Sequence, residues 1–278
     1  RRLSAGRVSF ESLGHGLSIG KPAAALLDML ETVELDLCYF STIYLGKFVP
    51  DLEVLETPFL FGSLDQAHAA LDGDLGAALT AATEAATPFA VLGYWDNGFR
   101  HFTNRLRDVR LPGDISGMRV RLQPNRVHAE LIESWGGVPV PVDLSDGIRM
   151  IEQAEVDAQE NPLANTVAYG VHEIHRYATM TGHLYGARGV YARPDSLSRF
   201  SARDQDLVRR SVSLAVAHQR SLAVDKELEY REFMTERGVA FVDLASDERQ
   251  RFIDAARTVV DRTRSSVGAD LHALIPPD

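Results

Sequence analysis

The longest regular pattern in the sequence runs from Ser201 to Arg237, where apolar residues recur at helical spacing until Gly238 ends the pattern. A continuous helix of this length would extend over more than about 50 Å, at 1.5 Å per residue. Because that length exceeds one ordinary lobe, the helix must either kink or run along two lobes. No low-complexity linker or internal repeat divides the chain. The sequence therefore predicts two lobes joined by regular elements, with this helix as the main connection.

Strand-like and helix-like segments alternate along the rest of the chain. Short apolar or alternating runs predict strands, whereas segments that open on Pro, Ser, Gly or Asp predict helices with one apolar face. The predicted strands are residues 8–11, 35–40, 89–94, 117–122, 138–142, 156–158, 177–181 and 239–242, and the predicted helices begin near Pro22, Ser63, Gly73, Pro124, Ser145, Ser201 and Asp247. This alternation is typical of an α/β fold with mostly parallel sheets.

The composition narrows the class of partner. The 278 residues carry a formal net charge of −10, which argues against a broad basic face for nucleic acid. Cys38 is the single cysteine, so a disulfide framework and a cysteine-rich metal site are excluded, and its apolar surroundings predict a small core residue. No stretch approaches the roughly 20 apolar residues of a membrane span. No signal peptide is present at Arg1, and we expect a processed or truncated form.

One motif indicates an enzyme. The run Gly16-Leu17-Ser18-Ile19-Gly20 fits the nucleophile elbow of serine hydrolases, in which the serine lies on a sharp turn between a strand and a helix. Such an elbow needs an oxyanion loop and several strands before it, and only fifteen residues precede Gly16. We interpret the run as a glycine-flanked turn, and a serine hydrolase that uses Ser18 is kept as the alternative function.

Several polar residues near predicted strands are candidates for ligand binding. Arg119 and Arg121 alternate on one strand and share a face, so they are either surface arginines or a site where one guanidinium clamps a carboxylate. Composition alone makes these two interpretations about equal. Trp95, Asn97 and Arg100 lie within six residues and form either the lining of a polar pocket or a turn with an incidental arginine.

Two further positions carry alternatives. Asn161 directly follows a predicted strand, where it either caps the next helix or presents its amide to a ligand. His172 and His175 are three residues apart and belong to no HExxH motif, so we predict surface or capping histidines rather than metal ligands. No motif for a cofactor or a metal is found.

Six short blocks follow one another along the chain. They are residues 56–61 (ETPFLF), 93–104 (GYWDNGFRHFTN), 117–121 (GMRVR), 136–140 (GGVPV), 156–162 (VDAQENP) and 181–183 (TGH). Their order and spacing together resemble the solute receptor family of TRAP transporters, the DctP-type periplasmic binding proteins. The resemblance extends from Gly6 to the end of the chain.

The resemblance implies a fold. Members of this family have an α/β, two-lobed, periplasmic-binding-protein-like architecture with a long hinge helix and a ligand cleft between the lobes. On this basis residues 1–97 and 187–225 are assigned to lobe I, and residues 98–186 and 226–278 to lobe II. The family normally has a strand and a helix before the segment that begins here at Gly6, and we expect lobe I to lack them.

The resemblance also implies a function. It predicts a periplasmic solute-binding protein, not an enzyme and without a cofactor, that captures a small organic carboxylate and delivers it to a TRAP membrane permease. A receptor for an ATP-driven permease or a sensor is a further alternative. Sugar acids, hydroxy or keto acids and dicarboxylates all remain open as ligands.

Particular residues match the family's binding positions. Arg121 sits at the position of the carboxylate-clamping arginine, Asn161 at that of the ligand amide, and Arg100 near a second polar contact. A strand of the first lobe should end at the cleft. The predicted ligand-binding set is therefore completed by Tyr39, Phe40, Ser41, Trp95, Asn97 and Tyr185. Its aromatic members either line the cleft or belong to the core.

Overall fold

The structure is a computed structural model that describes residues 6–14 and 19–277. The strands in these ranges are β1 (Leu37–Ser41), β2 (Ala90–Asn104), β3 (Arg119–Leu122), β4 (Val138–Pro141), β5 (Ala158–Asn161), β6 (Tyr177–Ala192) and β7 (Ala240–Val242). The helices are α1 (Ala25–Glu31), α2 (Leu64–Asp72), α3 (Asp74–Ala86), α4 (Arg126–Ser134), α5 (Leu144–Glu152), α6 (Leu163–Ala168), α7 (Pro194–Ser198), α8 (Ala202–Glu236), α9 (Ser246–Val267) and α10 (Ala269–Ala273). Short 3-10 helices occupy Thr42–Leu45, Pro50–Glu56, Pro112–Ile115 and Val171–Glu173.

Side-chain caps explain where several helices begin. The Ser63 hydroxyl accepts a hydrogen bond from the backbone N–H of Gln66 at 3.2 Å, so α2 begins where the sequence predicted. The Asn125 side chain caps α4 in the same way. Helix α5 is capped by Asp143 rather than by Ser145, and it therefore begins two residues earlier than the sequence indicated.

The described strands form one seven-stranded sheet in the order β1-β6-β2-β5-β3-β4, with β7 paired to β6. The prediction of mostly parallel sheets is wrong at the centre, where β6 pairs antiparallel with β1 and β2, and β2 pairs antiparallel with β5. Only the β3–β4, β3–β5 and β6–β7 pairs are parallel. The predicted strand over residues 8–11 is also absent, because this segment has no regular structure.

Two hydrophobic cores lie at opposite ends of this sheet. The core of lobe I includes Leu30, Leu55, Phe61, Leu75 and Tyr191, and the core of lobe II includes Val120, Leu131, Trp135 and Phe252. The C-terminal residues do not follow the expected division into lobes, which placed all of residues 226–278 in lobe II. The apolar side chains of Val267, Leu271, Leu274 and Ile275 pack against the core of lobe I, so the chain returns to that lobe.

The long pattern forms one helix, α8, of 35 residues. At 1.5 Å per residue it is about 52 Å long. Its first half packs on lobe I through Val208, Val212 and Val216, and its last turns pack on lobe II through Tyr230, Phe233 and Met234. The predicted helix that contacts both lobes is therefore confirmed.

The strands β2 and β6 also pass from one lobe to the other. Their pairing shifts register between Asp96 and Gly98, and Gly98 has a φ of +99°, a conformation that L side chains rarely adopt. Beside this bulge, the Gln219 side chain of α8 forms hydrogen bonds with the backbone N–H and C=O of Asp96 at 2.9 and 3.0 Å. The bent strands and the long helix are thus joined where the lobes meet.

Candidate ligand-binding site

Two strands of lobe II bring Arg121 and Asn161 to the same face of the sheet. Arg121 on β3 lies directly opposite Gln159 on β5, and Asn161 is two residues further along β5. Because side chains two residues apart in a strand share a face, Arg121, Gln159 and Asn161 point to the same side. The structure therefore brings these two predicted ligand-binding residues to one region, near the carboxyl ends of parallel strands.

Arg121 is a buried guanidinium without a counter-ion. It is 1% exposed, and no carboxylate of the described residues lies within 4 Å of it. One nitrogen, Nη2, donates a hydrogen bond to the Val142 carbonyl at 3.0 Å, while Nε has no hydrogen-bond partner. Burial lowers the pKa of Arg121, but an arginine stays protonated in proteins. The site therefore holds a positive charge that attracts an anion.

The shape of α5 makes room for this arginine. Gly147 packs directly over the Arg121 side chain, and a Cβ at this position would collide with Nε and Cδ of Arg121. Glycine is thus required at position 147 because α5 lies so close to the Arg121 side chain, and not because of the backbone conformation there. The consequence is that Arg121 runs beneath α5, with its guanidinium close to Tyr44 and Asp143.

Three asparagines and a second arginine form a hydrogen-bonded chain beside Arg121. Asn165 donates to Asn161 Oδ1 at 2.9 Å and to Asn97 Oδ1 at 3.1 Å. The Asn165 oxygen accepts a hydrogen bond from Arg188 at 3.3 Å. Asn97, Asn165 and Arg188 also line a pocket of about 190 Å³ that reaches α8 at Gln219. The hydrogen-bonded chain therefore contains two predicted residues, Asn97 and Asn161. It also contains two residues that the sequence did not indicate, Asn165 and Arg188.

The three predicted ligand-binding residues of β1 lie on different faces of the strand, one facing the cleft and the other facing the core. Tyr39 is 45% exposed and packs edge-on against Trp95, with 4.5 Å between the ring centroids. Because side chains alternate along a strand, the half-buried Ser41 shares the face of Tyr39, whereas Phe40 points into the core of lobe I. Tyr39, Ser41 and Trp95 remain candidates, and Phe40 is placed too deep to contact a ligand in the cleft.

Tyr185 belongs to the core as well. It is 2% exposed, and its hydroxyl donates a hydrogen bond to the carboxylate of Asp96. Its ring packs edge-on against Phe61 with 5.5 Å between centroids. The contact with Asp96 satisfies the only polar group of Tyr185, so this residue supports the crossing strands rather than the cleft.

Arg100 has a counter-ion in the protein itself. It is 2% exposed and forms a bidentate ion pair with Glu160, in which Nη2 lies 2.7 Å from Oε1, and it also donates to the Glu160 carbonyl. Burial would raise the pKa of Glu160, but Arg100 and His128 hold it well below its usual range. His183 lies 3.6 Å from the same carboxylate. Arg100 is therefore engaged behind the cleft, and the proposed ligand set does not include it.

Tyr44 and Asp143 form one of the contacts that join the two lobes. The Tyr44 hydroxyl donates a hydrogen bond to Asp143 Oδ1 at 2.8 Å, where Tyr44 packs on the core of lobe I and Asp143 caps α5 in lobe II. Burial and the Asp143 carboxylate both raise the pKa of Tyr44, so its hydroxyl keeps its proton and donates. The sequence did not indicate this contact, since its two residues lie in different lobes.

The cysteine and the two histidines considered in the sequence analysis are buried in the protein. Cys38 is buried, which raises the pKa of its thiol to about 12, and its prediction as a core residue is confirmed. His172 and His175 are buried rather than on the surface, and His175 Nδ1 lies 3.0 Å from the Thr103 hydroxyl. Ser18, the serine of the alternative function, lies outside the described residues.

Two features are absent from residues 6–14 and 19–277. No group of three or more His, Cys, Asp or Glu side chains in this part of the chain is placed to hold a metal ion. None of the helices there is both long and apolar enough to cross a bilayer.

Comparison with known proteins gives a family and several relatives. Residues 3–266 match the family described as bacterial extracellular solute-binding protein, family 7 (DctP). The protein y4mM of Sinorhizobium fredii is 31% identical over 95% of this chain and 48% of its own length. The 2,3-diketo-L-gulonate-binding periplasmic protein YiaO of Escherichia coli is 29% identical over 74% of this chain and 62% of its own length. The chain spans about half the length of the first of these relatives.

Solved structures confirm the two-lobed α/β fold. A TRAP periplasmic solute-binding protein from a Sulfitobacter species, with bound β-D-galacturonate, has a TM-score of 0.91 and 25% identity, over 99% of this chain and 90% of its own. The sugar acid binding protein DctPAm of Advenella mimigardefordensis, in complex with galactonate, has a TM-score of 0.92 and 24% identity, over 99% of this chain and 87% of its own.

Proposed function

Because the chain belongs to the bacterial extracellular solute-binding proteins of family 7, we propose that it captures a small organic carboxylate in the cleft between its lobes and delivers it to the membrane permease of a TRAP transporter. The observation that carries this proposal is Arg121, a buried guanidinium with no counter-ion among the described residues. A buried charge is costly unless it is paired. The carboxylate of the ligand supplies that partner.

The geometry suits a carboxylate. The planar fork of an arginine matches the two oxygens of a carboxylate and forms two parallel hydrogen bonds with it. Asn161 uses its Oδ1 to accept from Asn165, which leaves its Nδ2 as a second donor from the same lobe. Lobe I contributes Tyr39 and Ser41 from β1, so a ligand held by Arg121 also contacts the opposite lobe when the cleft closes.

The proposal places this binding outside the cytoplasm. Relatives whose names describe a periplasmic binding protein support a periplasmic location, and solved relatives described as TRAP proteins support a TRAP permease as the partner. We propose a binding protein without enzymatic activity, since the family to which the chain belongs consists of solute-binding proteins. No observation favours the serine hydrolase or an ATP-driven permease.

The test is a thermal-shift screen against sugar acids, hydroxy and keto acids and dicarboxylates, followed by calorimetric titration. A ligand at a hundred times its dissociation constant should stabilise the fold by about 2.7 kcal/mol. Removing one partner of a desolvated charge pair costs about 2–5 kcal/mol. Arg121→Ala should therefore weaken binding by roughly thirty-fold to several thousand-fold.

Arg119→Ala is the matched control. Arg119 lies on the same strand, but it is 45% exposed and pairs with Asp157 at 3.1 Å. Its removal should leave the affinity within about threefold of that of the unchanged protein, because an exposed ion pair contributes little. An Arg121→Ala variant that binds the acid as tightly as the unchanged protein would show that the proposed clamp is wrong.

A further inference from the structure

The outer side of α8 carries a stripe of apolar and small residues that is exposed to solvent. The inner side of this helix packs on both lobes, whereas the outer stripe consists of Leu214, Ala217, Ser221, Val224 and Leu228. Leu214, Val224 and Leu228 are 61%, 49% and 65% exposed. The five positions are three and four residues apart in alternation, a spacing that is typical of helices that pack side by side.

The spacing of this stripe is symmetric about Ser221. Leu214 lies seven residues before Ser221 and Leu228 lies seven residues after it. If two copies of α8 run antiparallel with a two-fold axis at Ser221, Leu214 of each copy faces Leu228 of the other. In a two-fold dimer both copies use the same patch, so the patch must be complementary to itself. The stripe meets this requirement.

The charges along α8 select the antiparallel arrangement. Its first half, residues 202–218, carries three arginines and two carboxylates, whereas residues 221–236 carry two cations and five carboxylates. Antiparallel copies place the basic half of one helix against the acidic half of the other, and parallel copies would place the two acidic halves together. Opposite charges across an interface favour association, and like charges oppose it.

One pair of residues makes this complementarity specific. Arg210 and Glu232 lie eleven residues before and after Ser221, and both are exposed, so Arg210 of one copy faces Glu232 of the other. Arg210 has an exposed ion pair with Asp206 at 3.2 Å, whereas Glu232 has no ion pair among the described residues. The dimer thus supplies Glu232 with a cation at each end of the apolar stripe.

We propose that two copies of this chain associate through the outer side of α8, antiparallel about a two-fold axis at Ser221, with Leu214 and Leu228 at the centre and an Arg210–Glu232 ion pair at each end. This surface includes none of the residues of the candidate ligand-binding site, so the proposal does not depend on the ligand. The stripe is about 21 Å long at 1.5 Å per residue. Because such a contact is at the small end of protein interfaces, we expect the dimer to dissociate in the micromolar range.

Analytical ultracentrifugation over a range of protein concentrations tests the association. The unchanged protein should pass from monomer to dimer as its concentration rises through the micromolar range. Leu228→Glu introduces a carboxylate into the apolar contact twice, once in each copy, and should raise the dissociation constant by at least about tenfold. Val138→Glu adds the same charge at a 49% exposed apolar position on β4 and should leave the dissociation constant unchanged.

A cysteine at the axis tests the arrangement. Cys38, the single cysteine of the chain, is buried, so an added surface thiol reacts alone. Under mild oxidation Ser221→Cys should form a disulfide between two copies, because a residue at the two-fold axis faces itself. Ala215→Cys, which is exposed on another side of α8, should not form one and serves as the control for random collisions.

A charge exchange tests the direction of the two helices. Arg210→Glu and Glu232→Arg should each weaken the dimer, and the two changes together should restore it, since the opposite charges again face each other. A protein that stays monomeric at every concentration would overturn the proposal, even if its stripe bound lipid vesicles. A dimer that Leu228→Glu leaves unchanged, or one that cross-links equally through Ala215→Cys and Ser221→Cys, would overturn it as well.

Discussion

Arg100 and Arg121 lie on the two strands that flank β5, and both are almost completely buried, with 2% and 1% exposure. Their partners differ. Arg100 forms a bidentate ion pair with Glu160, whereas Arg121 donates to one backbone carbonyl and keeps an unpaired Nε. A buried guanidinium is stable only with an opposite charge beside it. Behind the cleft the chain supplies that charge itself, and inside the cleft we propose that a ligand supplies it.

We propose that this difference separates a region that maintains the fold from a region that binds the ligand. The paired region consists of Arg100, Glu160, His128, His183 and Glu56, in which His128 Nε2 lies 2.7 Å from Glu56. Burial would lower the pKa of His128, but Glu160 and Glu56 raise it. Each charge in this region has an opposite charge nearby. We therefore expect substitutions there to change stability, and substitutions at the unpaired Arg121 to change affinity.

The largest effect is expected from Arg100→Met. This change leaves the Glu160 carboxylate buried without its main counter-ion, and breaking a buried pair in this way costs about 3–5 kcal/mol. The free energy of unfolding in urea should fall by that amount. The double variant Arg100→Met, Glu160→Leu removes both charges and should recover most of the loss. A single variant that costs less than about 1 kcal/mol would show that the pair does not maintain the fold.

The second prediction concerns how stability depends on pH through two buried histidines, His175 and His183, which are neutral in the folded protein. Burial lowers the pKa of His175 to about 3 and, despite the nearby Glu160, that of His183 to about 4. Unfolded histidine has a pKa of about 6.5. Below pH 6.5 the unfolded chain therefore binds protons that the folded protein does not, and stability falls as the pH falls from 6.5 towards these lower values.

The variant that measures this effect is His175→Gln. Between pH 6 and pH 5 the free energy of unfolding should decrease less steeply in this variant than in the unchanged protein, because one proton-binding group has been removed from the unfolded state. The two slopes should differ by roughly 1 kcal/mol per pH unit. Urea unfolding at pH 7, 6 and 5 gives the slopes. His218→Gln, at an exposed position of α8, serves as the control and should leave the slope unchanged. An equal slope in His175→Gln and the unchanged protein would contradict the prediction.

The smallest effect is expected at the Tyr44–Asp143 contact between the lobes. Tyr44→Phe keeps the ring against Phe40 and removes the hydrogen bond to Asp143. A hydrogen bond contributes about 0.5–1.5 kcal/mol net, so affinity for the acid should fall by roughly two- to twelve-fold. Tyr94→Phe removes a hydroxyl that pairs with Thr80 within lobe I and should not change the affinity. Equal losses in both variants would mean that the contact between the lobes plays no part in closure.

The sequence predicted the elements whose signals are local. The helix α8 was predicted almost to the residue, because its spacing persists through Ser201–Arg237 and Gly238 ends it. The crossing strands β2 and β6 were predicted only in their first parts. The middle of β2 is polar, as at Asp96 and Asn97, and glycines at 182 and 186 interrupt the middle of β6, so neither strand shows the continuous apolar pattern of a buried strand. The return of the C-terminal helix to lobe I is a tertiary contact that no local pattern indicates.

The site was accessible from the sequence only in part. Arg121 and Asn161 came from the resemblance to a family, and the structure places them on one sheet face. Arg100 was assigned to the same set, because nothing in the sequence shows that Glu160 would neutralise it. Arg188 was missed, because its place in the hydrogen-bonded chain beside Arg121 depends on tertiary contacts that no local pattern indicates.

The central claim is that the paired arginine maintains the fold and the unpaired arginine binds the ligand. Its most direct test measures the free energy of unfolding without ligand, and the affinity for the identified acid, in Arg100→Met and Arg121→Met. Arg121→Met should unfold within about 1 kcal/mol of the unchanged protein, or be more stable, because it removes a buried charge that has no partner. It should also lose at least thirty-fold in affinity. If Arg121→Met loses as much stability as Arg100→Met and its folded fraction still binds the acid normally, the account is contradicted.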